Sequence, residues 1–318
     1  MISSFNTLGK RRKPFIFIID FDLQQPIVMP INEISSEDIL YDINGYSNVS
    51  RNESILQTLV LKKKPIPFSR YKEAFDYVIR EESYGNSYLL NLTFPTHIEI
   101  NGSLKDIFFY SKAKYRLWYK EQFVVFSPET FICINNGLIS SFPMKGTIDA
   151  SLPNAATLLL ENEKEKAEHA TIVDLIRNDM SRIANDVIVK RFRYIEEIQT
   201  TEKRLLQVSS EISGTLPPKY YEHIGDILFS MLPAGSVTGA PKNKTIEIIK
   251  KVEGYKRGYY TGVFGYFDGH KLDSAVMIRF IEKDNDNYFF KSGGGITTQS
   301  NVATEYQEMI DKVYVQTG

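Results

Sequence analysis

The chain has 318 residues, 42% of them hydrophobic and 24% charged, with a formal net charge of -1. That length can bury a substantial core in one large domain or two ordinary ones, and near-neutral charge gives no field to gather nucleic acid or an anionic membrane. A lone cysteine, Cys133, excludes an intrachain disulfide; with no membrane-length apolar run and no signal-peptide pattern behind the basic run at 10–13, a cytoplasmic location is expected.

Residues 15–22 (FIFIIDFD) are β-branched and aromatic and read as a buried strand. Residues 66–82 carry Tyr71, Ala74, Phe75, Val78 and Ile79 at helical spacing. Strands are predicted at 87–94, 106–110, 123–126, 130–134 and 138–141, with Asn136-Gly137 as a tight-hairpin signal between the last two. Helices follow at about 162–184, 221–231 and 243–252, then strands at 259–267, 273–281 and 287–292, and a closing helix at about 302–316. Runs of strands followed by helices, without βαβ alternation, favour an α+β fold of mostly antiparallel sheets. With no repeat and no low-complexity linker, one compact unit is expected.

Two helices place carboxylates against apolar faces. On the first, Glu165 and Glu168 lie three apart, on the side of Ile172, Ile176 and Ile183. On the closing helix, Glu305, Glu308 and Lys312 cluster within roughly 60° of arc, beside Val302, Tyr306, Met309 and Val313. Such carboxylates need compensation. A divalent cation with oxygen ligands, magnesium above all, is one source; an ordinary surface ion pair of Glu308 with Lys312 is another. His97, His169, His223 and His270 have no zinc-site spacing.

Two glycine-rich segments, PAGSVTGAPK (233–242) and SGGGITTQS (292–300), precede predicted helices and allow a small anion close to the backbone; neither matches a nucleotide-binding motif, and tight turns alone would also account for them. Glu129 (in FSPET) and Lys145 (in FPMKGT) sit near the ends of the Asn-Gly hairpin, whose strands should bring them back toward each other. A desolvated lysine is a nucleophile and a protonated glutamate an acid, though either can be a plain loop residue.

The ordered set SPE, PMKGT, AEH, DLIRND, PAGSVTGAPK, GVFGYFDG, IRF, GGGI and EYQEMIDK resembles the chorismate-utilising enzymes, densely from about 85 to 315. That resemblance implies their fold, an antiparallel sandwich flanked by helices. It implies a catalytic domain at 85–318, with 1–84 as an abbreviated N-terminal region packed on it. It implies magnesium ligands at Glu168 and Glu308, with Glu165 and Glu305 reaching the metal through water. Arg279, Tyr260, Lys312 and the backbone of Gly293, Gly294 and Gly295 resemble the groups that hold substrate carboxylates. Thr238 lies in the loop over the substrate ring, and Glu129 matches the general acid. Lys145 stands where aminodeoxychorismate synthases carry lysine and anthranilate synthases alanine. Leu89 falls where water-using members carry a general-base lysine. The resemblance therefore implies amination of chorismate to 4-amino-4-deoxychorismate, on the way to 4-aminobenzoate and folate. Ammonia would come from a separate glutamine amidotransferase subunit, and a lyase would act downstream. The chain departs from the family at Leu89, often glutamine in amine-transferring members, and at Gln207, where many carry histidine. Anthranilate synthase is the nearest rival, and a non-catalytic chorismate-binding or regulatory protein is the rival from another class.

Overall fold

A computed structural model describes residues 1–49, 56, 58–199 and 204–315. The chain divides into two units, each assembled from three stretches. The first holds Met1–Asn32, Glu129–Ser236 and Gly262–Val276; the second holds Glu33–Pro128, Val237–Thr261 and Met277–Gly318. The border expected at 84/85 falls inside the second unit.

Each unit contains a nine-stranded sheet, and every pairing among the described residues is antiparallel, as an α+β chain should show. In the first unit the order runs Met144–Asp149, Arg204–Thr215, Leu138–Ser141, Thr130–Asn135, Leu272–Val276, Val263–Phe267, Phe15–Ile19, Ile27–Pro30, with Asn185–Gln199 also paired to Arg204–Thr215. Phe15–Ile19 is buried at every position, which explains its unbroken apolar run: both faces are covered. Phe5, from the helix Ile2–Lys10, meets Phe15 and Phe229 edge-on at 6.0 and 5.6 Å.

In the second unit the order is Gly239–Ala240, Leu89–Ile100, Asn287–Ile296, Phe280–Asp284, Phe123–Ser127, Tyr115–Tyr119, Ile39–Ile43, Tyr46–Ser47, with Leu61–Lys64 also paired to Leu89–Ile100. One apolar cluster joins Tyr71, Phe75 and Val78 of the helix Phe68–Ser83 to Leu92, Ile249 and Met309. Another gathers Ile107, Phe108, Trp118, Phe126 and Phe290.

Most predicted elements are present with shifted ends, including the helices Glu163–Met180, Ile224–Met231, Lys242–Val252 and Val302–Asp311. The expected end of the last one, at 316, lies outside the described residues. The hairpin is present, with Asn136 and Gly137 both at positive φ (51° and 78°), as a primed turn requires. One expectation is wrong in type: 106–110 is not a strand but part of the helix Leu104–Tyr110. Its aromatic run has strand propensity, but Ser103 and Asp106 close a reciprocal capping box that starts a helix. The strand expected at 273–281 is two, Leu272–Val276 and Phe280–Asp284, in different units. Arg279 breaks it with a φ of 53°. The long hairpin Asn185–Gln199 with Arg204–Thr215 was not foreseen.

Candidate active site

In the first unit the strand Met144–Asp149 pairs with Arg204–Thr215, Lys145 lying opposite Val208, and its register slips between Lys145 and Thr147. Gly146 occupies the slip at a φ of 77°, a conformation that glycine adopts freely. The bulge re-aims the flanking side chain. Lys145 Nζ lies 2.6 Å from Glu168 Oε2. A Cβ at Gly146 would come within 3.1 Å of Leu159 and 3.5 Å of Glu165 Oε2, so the loop also needs glycine for space. The helix Glu163–Met180 starts at an Asn162 cap that accepts from Glu165 N at 3.0 Å. Along it Glu168, Ile172 and Ile176 are buried and Glu165 half-buried, the mixed face read from the sequence. Ile183 lies past the helix end and is half-buried.

Glu168 is nearly sealed from solvent, its side chain 2% exposed. Its Oε1 makes no hydrogen bond among the described residues, and Lys164 Nζ lies 3.6 Å away. A buried hard oxygen with unused acceptor capacity suits a hard cation. Next to it His169 is buried, its Nε2 2.6 Å from Ser210 Oγ, and burial pushes its pKa down to about 4. It is therefore neutral at pH 7, with Nε2 partnered and Nδ1 buried without a hydrogen bond among the described residues. Gln207, where many members carry histidine, contacts Met144 Sδ at 3.3 Å.

Glu129 precedes the strand Thr130–Asn135 and is buried, with Ser236 Oγ donating to its carboxylate. It lines a small pocket with Ser141, Asp179 and Ser236. Ser236 and Asp179 fall inside the motifs PAGSVTGAPK and DLIRND, but no local spacing in the sequence signals that they share a pocket with Glu129. The hairpin was expected to return Lys145 to Glu129. Instead the chain leaves the hairpin for Met144–Asp149, and Lys145 is held at Glu168.

In the second unit the helix Val302–Asp311 buries Glu305 and Met309 and leaves Glu308 half-exposed. Lys312 Nζ bridges Glu308 Oε1 at 2.6 Å and the Gly293 carbonyl at 2.8 Å, so the local ion pair is also a clamp on the glycine strand. A Cβ at Gly294 would lie 3.2 Å from Glu308 Oε1 and 3.6 Å from Glu305 Oε2, so this glycine makes room for both carboxylates. Gly295 stands opposite Asn91 in the neighbouring strand. Thr238 is fully buried, and its carbonyl accepts from Asn91 N at 2.8 Å. Tyr260 is buried against Phe280 at 5.8 Å. The Arg279 guanidinium sits 5.0 Å above the Tyr314 ring. Leu89 is buried, opposite Ala240 in the sheet, and offers no base.

Among the described residues, no group of three or more His, Cys, Asp or Glu side chains is gathered to hold a metal; each unit presents a carboxylate pair beside a lysine. Nor is any helix long and apolar enough to cross a membrane.

The family of chorismate binding enzymes matches residues 42–318. The chain is 50% identical over 314 residues to an uncharacterized PabA-like protein of Haemophilus influenzae, covering 99% of this chain and 95% of that one. It is 33% identical over 261 residues to aminodeoxychorismate synthase component 1 of Escherichia coli, covering 77% of this chain but 56% of that one, so it spans just over half the length of that relative. Its fold matches anthranilate synthase component I of Streptococcus pneumoniae with a TM-score of 0.71 at 23% identity, over 94% of this chain and 79% of that one. The match begins well before residue 85 and runs to the last residue; this chain belongs to the chorismate binding enzyme family.

Proposed function

We propose that the chain aminates chorismate, with ammonia, to 4-amino-4-deoxychorismate. The observation that carries this reading is Lys145, raised on a bulge and held 2.6 Å from a buried carboxylate of the AEH motif. Anthranilate synthases carry alanine at this position. Leu89, buried and without a titratable group, supports ammonia over water as the attacking molecule.

Glu168 and Glu308, backed by Glu165 and Glu305, are the proposed magnesium ligands. Glu168 Oε1, buried and accepting no hydrogen bond among the described residues, supports that role. Bound magnesium would supply positive charge to the ring carboxylate of chorismate. Arg279 and Lys312 are the proposed cations for substrate carboxylates, with Tyr260, Thr238 and the Gly293–Gly295 backbone shaping the site.

Lys145 must leave Glu168 and lose a proton before it can act. Its Nζ then bonds to C2 of chorismate, both ring double bonds shift (C1=C2 to C1=C6 and C5=C6 to C4=C5), and the C4–O bond breaks. Glu129 hands its proton to the departing oxygen, which leaves as water. Ammonia next bonds to C4, both ring double bonds shift back, and the C2–N bond breaks to return Lys145 as an amine. A proton from the added ammonia restores Glu129. The proposed source of ammonia is a separate glutamine amidotransferase subunit, and a separate lyase is the proposed next enzyme.

The test is product analysis with chorismate, magnesium and ammonium, with and without a lyase. Aminodeoxychorismate, converted to 4-aminobenzoate only when the lyase is present, is the expected result. Fluorescent anthranilate would replace this reading with the anthranilate synthase one. Chorismate binding without turnover would replace it with a non-catalytic role.

A further inference from the structure

The second unit buries a charge pair that the reaction above does not use. Glu253 and Arg257, four residues apart, each have side chains 1% exposed. A buried ion pair repays its desolvation only when its remaining donors and acceptors are also satisfied. Here all five N–H bonds of the guanidinium are engaged. Nε donates to Glu253 Oε2 at 2.9 Å, and Nη2 to Glu253 Oε1 at 2.6 Å and the Asn91 carbonyl at 2.7 Å. Nη1 donates to the Val237 carbonyl at 2.7 Å and to Thr261 Oγ1 at 3.3 Å. Glu253 Oε1 also accepts from Thr93 N and Thr93 Oγ1, at 2.9 and 2.8 Å.

These partners lie on three stretches of chain far apart in sequence, and each adjoins a proposed substrate group. Val237 precedes Thr238, and Thr261 follows Tyr260. Asn91 and Thr93 stand opposite Gly295 and Gly293 in the sheet. Thr261 has a φ of 61°, left-handed backbone that a β-branched residue avoids. Its N–H donates to the Met277 carbonyl at 2.9 Å and its hydroxyl to the Tyr260 carbonyl at 2.6 Å. Strain of this kind persists where surrounding bonds over-determine the conformation.

We infer that Arg257, locked in its fork by Glu253, is a positioning residue that sets Thr238, Tyr260 and the glycine strand in register for chorismate. This rests on the reading above, which makes those groups the substrate contacts. A lysine at 257 would supply a compact ammonium with three donors and no planar fork, so it could not tie the same segments.

The test measures chorismate affinity by calorimetry and stability by thermal melting, for the unaltered chain, Arg257→Lys and Thr261→Gly. Arg257→Lys should bind chorismate about tenfold or more weakly, because small misplacements of binding groups are costly. Thr261→Gly removes the strain together with one clamp bond. It should therefore melt no lower than the parent and still bind chorismate several-fold more weakly. A purely structural role would move stability and affinity together. If the parent binds chorismate and Thr261→Gly binds it equally well, the clamp is overturned while the functional reading stands; the same holds for a folded Arg257→Lys. If the parent does not bind chorismate, the functional reading falls and the inference with it. Should Arg257→Lys fail to fold, Thr261→Gly decides alone.

Discussion

The two units solve one electrostatic problem in different ways. Each presents a helix with glutamates three apart and a lysine 2.6 Å from one of them. In the second unit the pair is local: Lys312 is four residues from Glu308, both side chains are partly exposed, and the lysine also holds the Gly293 carbonyl. In the first unit the lysine arrives from a bulged strand 23 positions earlier in the sequence and meets a carboxylate buried to 2%. A local pair in solvent contributes little and mainly fixes geometry. Loss of Lys145, itself 25% exposed, would leave the sealed Glu168 carboxylate to Lys164, whose Nζ lies 3.6 Å away. Under the proposed function this contrast goes with a scaffolding and binding role for Lys312 and a chemical one for Lys145.

The sharpest way to break that contrast is to remove each lysine. Lys145→Ala should lose roughly a thousandfold or more in ammonium-dependent turnover, as removal of an essential nucleophile does. The chorismate adduct seen by mass spectrometry without ammonia should vanish with it. Lys312→Ala should lose about tenfold, chiefly through KM, as expected of a group that binds ground and transition states alike. Equal losses in the two variants would erase the distinction.

Metal binding tests the same contrast more gently. Lys145 and, at 3.6 Å, Lys164 meet the charge of Glu168, so a cation at the proposed site would have to displace Lys145. Lys145→Ala should therefore bind magnesium several-fold more tightly in a calorimetric titration, since a competing bound state is removed. Unchanged affinity would mean that Glu168 is not where magnesium binds. Gly294→Ala works from the other unit, because its Cβ would sit 3.2 Å from Glu308 Oε1. It should weaken magnesium binding by a smaller factor, with little change in melting temperature.

What could be read in advance follows the same division between local and distant. The carboxylate faces were legible because helical periodicity is local: Glu165 with Glu168, and Glu305 with Glu308, needed only their spacing. The hairpin at Asn136-Gly137 was legible because two adjacent residues specify the turn. The partner of Lys145 was not, because the bulge and the strand Arg204–Thr215 that position it are properties of the sheet. The strand break at Arg279 was hidden inside an apolar run, since a positive φ at a non-glycine residue leaves no sequence signal. Arg257 was only half legible for a related reason: Glu253 lies four residues before it, but two of its five bonds go to backbone carbonyls of Val237 and Asn91, which any sequence supplies. At Leu104–Tyr110 two local signals conflict: the aromatic run favours a strand, and the Ser103–Asp106 capping box, which prevails, starts a helix.

The smallest expected effect concerns Lys291, a buried lysine that belongs to neither carboxylate pair. Its ammonium lies 2.8 Å from Glu282 and donates to the Arg257 carbonyl at 3.1 Å. Burial lowers its pKa from 10.5, although Glu282 pulls the other way. A lysine whose folded pKa lies below its unfolded value binds its proton more tightly in the unfolded chain. Between those two values the unfolded state holds more protons, so stability rises with pH there, up to about 10.5. The penalty is present at lower pH and disappears on the alkaline side. Lys291→Met removes this dependence, so the melting temperature of the parent relative to the variant should climb as pH rises toward 10.5. Near pH 7 the variant should lie within about 1.5 kcal/mol of the parent, because apolar replacement of a buried ion is often neutral and here leaves Glu282 partly solvated. A constant gap across that range would show that Lys291 keeps its ordinary affinity for a proton, and that the bonds to Glu282 and the Arg257 carbonyl outweigh its burial.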